Sequence, residues 1–420
     1  MRIVCQYNCE KDERGWFHAV AIYCAFDPLS SFSIILTDLL PPKFGRRSFF
    51  GGTDMIPNWN QVNIVPEFCD QGVDCYRLVG GNFLNEYFIV SEAETRKLMN
   101  HPEVVGYEVY TSLLNATSQM LYYLKEQRKI TSANILSILR GALNYPLEES
   151  CYREHIRVHD ISFLSSERVF NEAGDMTGLA IKYSKLTMVP NSTLMIGDII
   201  ASGETLVQSL RYVTDYYRSQ GAKLRNIVLL TIGGTHGIEL LEKLTKEIRE
   251  YWPDFEGFIT IYYEGIFSCY EPGDTGVSGI NRALIDFYWK GGIIAPAFRR
   301  QTLSMRDPLF EKCTIYDGGA RRYEIHEHIE EVLEFWNGIL ARADIIDKQA
   351  LLEEKLGHKL PISYDDWVRE SHYEMLDERE TRWLYQQEKG FVESLKEISL
   401  EQIALQRIEE FTATLSKYIL

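Results

Sequence analysis

The chain has 420 residues, of which 45% are hydrophobic, and its formal net charge is −16. This length and apolar fraction allow a large core and predict two or three domains. The acidic balance argues against a nucleic-acid partner, because duplex-binding proteins present a basic surface, although it is compatible with a local basic pocket. We find no run of about 18 apolar residues and no secretory signal pattern, so we expect a cytoplasmic protein without a membrane partner.

Residues 1–100 are rich in aromatic and β-branched residues, with turn sequences such as SFFGGTD between them. SFSIILTDLL and EYFIVS have the composition of strands, so we predict a β-rich or α+β N-terminal segment. Five of the eight cysteines lie here, namely Cys5, Cys9, Cys24, Cys69 and Cys75. Their spacings differ from the paired C-x2-C of zinc ribbons, which favours reduced, buried thiols over a metal site.

Residues 101–310 have the pattern of an α/β core. Apolar residues at helical spacing predict a helix over 103–129, and ANILSIL predicts a strand that ends in a loop. Residues 150–190 are polar and irregular. They are followed by the strand TLMIGDII, the helix GETLVQSLRYVTDYYRSQG, the strand RNIVLLTIGG, the helix HGIELLEKLTKEIREYW and the strand FITIYYEGIF. This alternation indicates a parallel sheet with crossover helices.

Residues 322–420 are strongly charged and have helical periodicity. The segments that show it are RRYEIHEHIEEVLEFWNGIL, DIIDKQALLEEKL and KEISLEQIALQRIEEFTATLSKYI. We therefore predict a C-terminal helical domain, whose Glu/Lys/Arg faces are either solvated or form a dimer contact.

The most informative stretch is TLMIGDIIASGET, residues 193–205. A buried strand ends near the carboxylate of Asp198, and a turn of small and hydroxyl residues leads into a helix. Ligands of open α/β sheets bind at the carboxyl ends of the strands, where loop amides and a helix N-terminus attract anions. Gly203 permits close approach of the backbone, while Ser202 and Thr205 add hydroxyl donors. A phosphate beside a carboxylate that accepts from vicinal hydroxyls indicates a ribose 5-phosphate. The alternative is an ordinary turn whose hydroxyl caps the helix.

This string resembles the signature of type I phosphoribosyltransferases, the enzymes that use phosphoribosyl pyrophosphate (PRPP). Their pattern is four apolar residues, two acids, two apolar residues, and then small or hydroxyl positions interrupted by one free position. The matching residues are 193–196, Asp198, Ile199, Ile200, Ala201, Ser202, Gly203, Glu204 at the free position, and Thr205. Gly197 departs from the pattern, because it stands where the family carries its first acid. The resemblance implies a parallel-sheet phosphoribosyltransferase-like core, with Asp198 as a catalytic carboxylate at the ribose hydroxyls.

Two further segments can be interpreted through this resemblance. SILRGALNYP looks like the family's pyrophosphate loop, so Arg140, Gly141 and Ala142 would contact the diphosphate, with Arg140 as a charged, catalytic contact. Residues 150–190 take the place of the family's flexible loop, which closes over the reacting centre. The candidate residues on this segment are Arg168, Lys182, Tyr183 and Lys185, of which we take Lys185 as catalytic. An ordinary strand is the alternative for AIKYSKL.

The function implied is transfer of a phosphoribosyl group from PRPP to a nitrogenous base, with release of pyrophosphate. Mg²⁺ would be bound through PRPP, the turn at 201–205 would hold the 5-phosphate, and the acceptor is left undefined. Two other classes stay open. One is a PRPP- or nucleotide-sensing regulator without catalysis, favoured by Gly197; the other is a ribosyl-phosphate hydrolase or phosphorylase. Dimers are common in the family, so a homodimer is a further expectation.

Other residue patterns carry less information. His155 and His159, and likewise His326 and His328, are spaced as metal ligands can be. Neither pair has a third ligand nearby in the sequence, so we predict no protein-held metal. TIGGTHG is too short for the dinucleotide fingerprint and either faces the acceptor or forms a plain turn.

Overall fold

The computed structural model describes residues 9–11, 17–19, 57–139, 145–170, 176–269, 273–281, 287–311 and 323–418. The chain divides into two compact units, Met1–Asp54 and Met55–Leu420. In the first unit, the described residues form the antiparallel strands β1 (Cys9–Lys11) and β2 (Phe17–Ala19). Across the described residues, we find no helix with the length and apolar character needed to cross a membrane.

Within the described part of the second unit, a ten-stranded sheet forms the centre. Its strands are β3 (Asn58–Asp70), β4 (Val73–Gly81), β5 (Glu86–Ser91), β6 (Ser132–Ile138), β7 (Arg157–Phe170), β8 (Met176–Lys185), β9 (Ser192–Ile200), β10 (Leu224–Gly234), β11 (Phe258–Cys269) and β12 (Phe287–Ile294). Their spatial order is β3-β4-β5-β11-β10-β9-β6-β7-β8, and β12 pairs with β11. Strands β5, β11, β10, β9, β6 and β7 are mutually parallel, and the flanking pairings are antiparallel. The predicted mixed α/β architecture is thereby confirmed.

The helices of the described residues surround and follow this sheet. They are α1 (Ala93–Asn100), α2 (Tyr107–Ser112), α3 (Leu114–Arg128), α4 (Tyr145–Arg153), α5 (Glu204–Ser219), α6 (Thr235–Tyr251), α7 (Pro296–Thr302), α8 (Ile325–Leu340), α9 (Lys348–Leu356), α10 (Tyr364–Glu370), α11 (Glu378–Ser394) and α12 (Leu400–Leu415). The single helix predicted over 103–129 is divided into α2 and α3 at the buried Leu113. The helical character predicted for the C-terminal region is confirmed by α8 to α12.

Part of the predicted N-terminal segment belongs to the central sheet. Strands β3, β4 and β5 form an antiparallel meander, and β5 pairs in parallel with β11 through Tyr87 beside Thr260 and Ile89 beside Tyr262. All four of these side chains are buried, so this edge of the sheet shares the core of its parallel centre. The domain limits that we drew at residues 100, 310 and 322 stay predictions.

The polar segment that looked irregular is largely a β-hairpin arm, β7 and β8. The return strand expected at AIKYSKL is present in β8, but the outgoing strand was missed. Side chains at 162 and 164 are buried, whereas those at 157 and 159 are exposed, which is the alternation of a strand. The sequence hides this alternation because one buried position carries a polar residue, Ser162.

A buried acid lies on β11 at the point where the strand paired with β11 changes from β5 to β12. Glu264 has a φ of 65° and is fully buried. Its carboxylate accepts hydrogen bonds from the Ser91 hydroxyl at 2.5 Å, from the Glu92 amide at 2.9 Å and from the Thr95 hydroxyl. The Ala295 amide donates to its backbone carbonyl at 2.9 Å. Burial nevertheless raises the pKa of Glu264 to about 7.

This acid makes stability depend on pH. The folded state holds the Glu264 proton up to about pH 7, whereas the unfolded chain releases it near the ordinary pKa of 4.5. The free energy of unfolding therefore decreases as the pH rises through this interval. We expect Glu264→Gln, which resembles the protonated acid, to show a smaller decrease when urea unfolding is compared at about pH 5 and about pH 8. The same pH dependence in both proteins would contradict this assignment.

Candidate functional site

The strand that carries the candidate motif lies inside the parallel part of the sheet. Strand β9 pairs with β6 on one side and with β10 on the other, so Met195 stands between Ile135 and Val228. Residues 192–197 are buried, and burial decreases at Asp198. Asp198 therefore lies near the carboxyl edge of the sheet, where ligands of open α/β sheets bind.

Asp198 lies two residues before the end of β9, beside Thr231 of β10. Its Oδ1 accepts a hydrogen bond from the Ile199 amide at 2.9 Å. The side chain is half-buried. This local bond restrains the carboxylate at the carboxyl edge, close to the turn that follows. The position preceding it, Gly197, is buried and supplies no second carboxylate.

The turn after β9 has the geometry of an anion site. Gly203 adopts a left-handed conformation, with φ 74° and ψ −10°, and is the N-cap of α5. Gly203 has no side chain with which to cap that helix N-terminus. Amides in the first turn of a helix lack intrahelical acceptors, and a left-handed residue before them gathers N–H groups into a concave, positively polarised surface. Ala201, Ser202 and Thr205 are half-buried, and Glu204 is exposed.

Gly203 is also constrained by its neighbours. A Cβ atom added there would lie 2.9 Å from Leu240 Cδ1 and 3.3 Å from Ile200 Cγ2. Gly221 has a similar φ of 68°, yet an added Cβ would meet nothing within 4 Å. Comparing the two glycines therefore separates the effect of the left-handed backbone, which both share, from the effect of the close packing, which only Gly203 has.

The PRPP contact implied by the resemblance predicts that Gly203→Ala weakens PRPP binding by about tenfold or more, because both the left-handed turn and its contact with α6 must change. Gly221→Ala has the same backbone cost of roughly 1 kcal/mol without the clash, so it should lower stability slightly and leave binding unchanged. Calorimetric titration and urea unfolding of both variants measure these effects. Equal PRPP affinity in the two variants would remove the turn from the binding site.

The glycines of TIGGTHG pack against the candidate turn. A Cβ at Gly237 would lie 2.9 Å from Ile200 Cγ2, and one at Gly233 would lie 2.9 Å from the Ile200 carbonyl oxygen. The Cys269 thiol donates to the carbonyl of Ala201 at 3.8 Å. Small residues at the end of β10 and at the start of α6 thus let both elements approach the end of β9. This gives the motif a packing role, and the acceptor contact stays a prediction.

The hairpin arm extends past the carboxyl edge. Strand β6 ends at Ile138, which pairs with Leu164, whereas β7 continues to Phe170, and among the described residues only β8 pairs with this continuation. The unaccompanied part, residues 165–170, is roughly 20 Å long at the rise of a strand. Arg168 and Lys182 lie on this arm, and Lys182 Nζ is 2.9 Å from Glu167. That this arm closes over the carboxyl end of β9 stays a prediction.

Lys185 lies at the base of the arm, paired in register with Phe163. Its side chain is 55% exposed, and Nζ is 4.0 Å from Asp160 Oδ1. The Thr187 hydroxyl and the Ile161 amide, with Lys185 last, hold the pKa of Asp160 below its ordinary value. Strands β7 and β6 separate β8 from β9, a distance of about 14 Å between strand axes. The structure therefore does not place Lys185 in contact with Asp198, and its catalytic role stays a prediction.

Arg140, Gly141 and Ala142 lie outside the described residues. The flanking residues are described: β6 ends at Ile138, and the Leu139 amide donates to the Leu164 carbonyl at 2.7 Å. Because β6 is the parallel neighbour of β9, its carboxyl end lies next to that of β9. The contact between Arg140 and a diphosphate stays a prediction.

The paired histidines do not form a metal centre. His155 follows α4 in a left-handed conformation and His159 lies on β7, so the two do not share a helix. On α8, His326 is 3.2 Å from Glu330, and buried His328 hydrogen-bonds the Pro102 carbonyl at 2.7 Å. Over the residues described, no group of three His, Cys, Asp or Glu side chains could hold a metal ion.

No protein-family model matches the chain, and no curated protein matches it. Among solved structures, AQ2163 protein from Aquifex aeolicus has a TM-score of 0.30 at 15% identity, covering 42% of this chain and 86% of its own. The hypoxanthine-guanine phosphoribosyltransferase of L. donovani has a TM-score of 0.26 at 16% identity, covering 33% and 78%. A hypoxanthine phosphoribosyltransferase of Staphylococcus aureus has a TM-score of 0.25 at 13% identity, covering 38% and 77%. TM-scores this far below 0.5 carry no conclusion about this chain.

Proposed function

We propose that the chain is a phosphoribosyltransferase-like enzyme that moves the phosphoribosyl group of PRPP to a nitrogenous base. The observation that carries the proposal is the placement of TLMIGDIIASGET. Its strand is a central parallel strand, its acid lies near the carboxyl edge, and Gly203 is left-handed at the N-terminus of α5. A phosphate at that turn, with a carboxylate immediately before it, suits a ribose 5-phosphate.

In the proposed reaction, the turn at 201–205 holds the 5-phosphate and the carboxylate of Asp198 accepts hydrogen bonds from the ribose hydroxyls. A base nitrogen donates its lone pair to the anomeric carbon, the bond from that carbon to the pyrophosphate oxygen breaks, and a proton carried by that nitrogen passes to solvent. The bonding electrons leave with pyrophosphate, so positive charge develops on the ribose ring. Catalysis is then chiefly positioning and electrostatic stabilisation.

Mg²⁺ enters this proposal together with PRPP. Asp198 offers one carboxylate near the turn, and the diphosphate of PRPP would supply the other oxygen ligands of the ion. When bound there, Mg²⁺ would neutralise charge on the leaving group. Arg140 would add a cation to the same diphosphate. Lys185 would require movement of the hairpin arm to approach the site.

A second candidate function is PRPP sensing without catalysis. The observation that favours it is Gly197, a buried residue without a side chain between Leu230 of β10 and the strand β6. The family pattern has an acid there, and one carboxylate instead of two at the ribose would weaken stabilisation of the developing charge. Binding of PRPP at the turn would be retained.

Calorimetric titration of PRPP with and without Mg²⁺ tests both candidates. We expect binding that depends on Mg²⁺, and release of pyrophosphate when nitrogenous bases are added. Binding without pyrophosphate release from any base would favour the sensor. If PRPP does not bind, both proposals fail, and the turn is an ordinary strand-to-helix connection.

A further inference from the structure

A second site lies among the C-terminal helices and is independent of the proposed transferase chemistry. Helices α9 and α11, with the segment 360–362 and the turn 395–396, enclose a cleft of about 600 Å³. This volume lies within the roughly 300–1,000 Å³ of small-molecule pockets. Its apolar walls come from Leu352, Leu360, Ile362, Tyr385, Val392 and Leu395. The Tyr385 hydroxyl donates to the Ile362 carbonyl at 2.7 Å, which joins two of these walls.

The charged side chains that line the cleft are mainly lysines, although the whole chain has a formal charge of −16. Lys348 Nζ donates to the carbonyls of Leu395 and Ile398 at 2.6 Å each, and an ammonium has a third N–H to offer. Lys389 is exposed, and its Nζ lies 5.4 Å from the ring centroid of Tyr385. Lys396 is 2.6 Å from Glu393, and both are exposed. Basic groups therefore stand beside an apolar interior.

The acid at the bottom of the cleft is already neutralised. Glu388 is buried, its Oε2 accepts from Arg299 at 2.6 Å, and its Oε1 accepts from Trp367 at 2.9 Å and pairs with His358 Nε2 at 2.6 Å. Both oxygens are engaged, so this carboxylate is not a ligand for a cationic guest. The unbalanced charge at the cleft is that of the lysines.

We propose that this cleft binds a small amphiphile whose apolar body fills the space between α9 and α11 and whose anionic head meets Lys348 and Lys389. The apolar walls favour burial of an apolar body, and the positive charge of the lysines favours an anionic head. A cationic or neutral head would lose the charge complementarity while keeping the same apolar contacts. The head can be a carboxylate or a phosphate monoester, which share this chemistry.

Four ten-carbon probes test the proposal on the full chain by calorimetry below their micelle concentrations: decanoate, decyl phosphate, decanol and decylammonium. We expect the two anions to bind and the cation to bind at least about tenfold more weakly than they do. Tighter binding of decyl phosphate than of decanoate would identify a phosphate head, and the reverse a carboxylate head. Equal binding of all four probes, or binding of none, would overturn the proposal.

Two variants connect the binding to this cleft. Lys389→Gln removes an exposed charge at the cleft and should weaken anion binding by about two- to fivefold, the range of an exposed ion pair. The matched control is Lys243→Gln, an exposed lysine on α6, which should not change it. Val392→Trp fills the space and should abolish binding, while circular dichroism verifies its fold. Unchanged affinity in both cleft variants would overturn the proposal even if the probes bind elsewhere.

Discussion

Replacing Asp198 by Asn is expected to lower pyrophosphate release by about 100-fold or more, the cost of removing one preorganised electrostatic group from an active site. The carboxylate stands near the carboxyl edge of β9, and the Ile199 amide holds its Oδ1 at 2.9 Å. Asparagine keeps an oxygen acceptor for that amide, so the fold should be retained. What is lost is the negative charge that would face the ribose as positive charge develops on it.

Asp160→Asn is a matched control for this substitution. Asp160 also lies on a parallel strand, and its Oδ1 also accepts from the following amide, that of Ile161, at 2.8 Å. Steady-state assays of pyrophosphate release, with melting curves for each protein, should show loss in the first variant only. Normal turnover of Asp198→Asn would remove this residue from the mechanism. If both variants lose activity equally, the effect is either a general response to strand carboxylates or acts through Lys185, whose Nζ is 4.0 Å from Asp160 Oδ1.

Arg299→Met is expected to destabilise the protein by about 3–5 kcal/mol, because it removes the guanidinium partner of the buried Glu388 carboxylate and leaves only His358 and Trp367 beside it. The pair is 2.6 Å apart, with 5% and 3% of the two side chains exposed. The guanidinium also lies over the rings of Trp289, Trp367 and Tyr373, at 4.9, 5.2 and 5.5 Å from their centroids. Burial opposes ionisation of Glu388, but Arg299 and His358 hold its pKa below the ordinary value.

Denaturant unfolding of Arg299→Met and of Arg382→Met measures this difference. Arg382 pairs with Glu378 at 2.6 Å, but 59% and 70% of these side chains are exposed to solvent, so its loss should lower stability far less than the loss of Arg299. The double variant Arg299→Met with Glu388→Gln should regain part of the lost stability, since no buried charge is then left unpaired. A loss below about 1 kcal/mol in the single variant would mean that water reaches Glu388.

The order of elements from β9 to β11 was readable from the sequence because each strand there is a continuous apolar run and each crossover helix has an apolar stripe. The same patterns missed β7, where Ser162 takes a buried position. They predicted the strand at EYFIVS, which is β5, but not that β3 to β5 join the central sheet, because this pairing depends on residues far away in the chain. Pairing partners of that kind leave no local periodicity. The pairing of β5 with β11 forms only as the chain folds.

The sequence by itself determined the candidate turn, because a left-handed glycine after a buried strand and an acid is a local requirement that a short motif can encode. Only the tertiary structure decided what surrounds it. It showed that Gly233 and Gly237 pack on Ile200, that Lys185 lies about three strands from β9, and that Arg299 is matched with Glu388 across 89 positions. Burial, charge pairing and close packing join residues that are distant in sequence, so they exist only once the chain has folded.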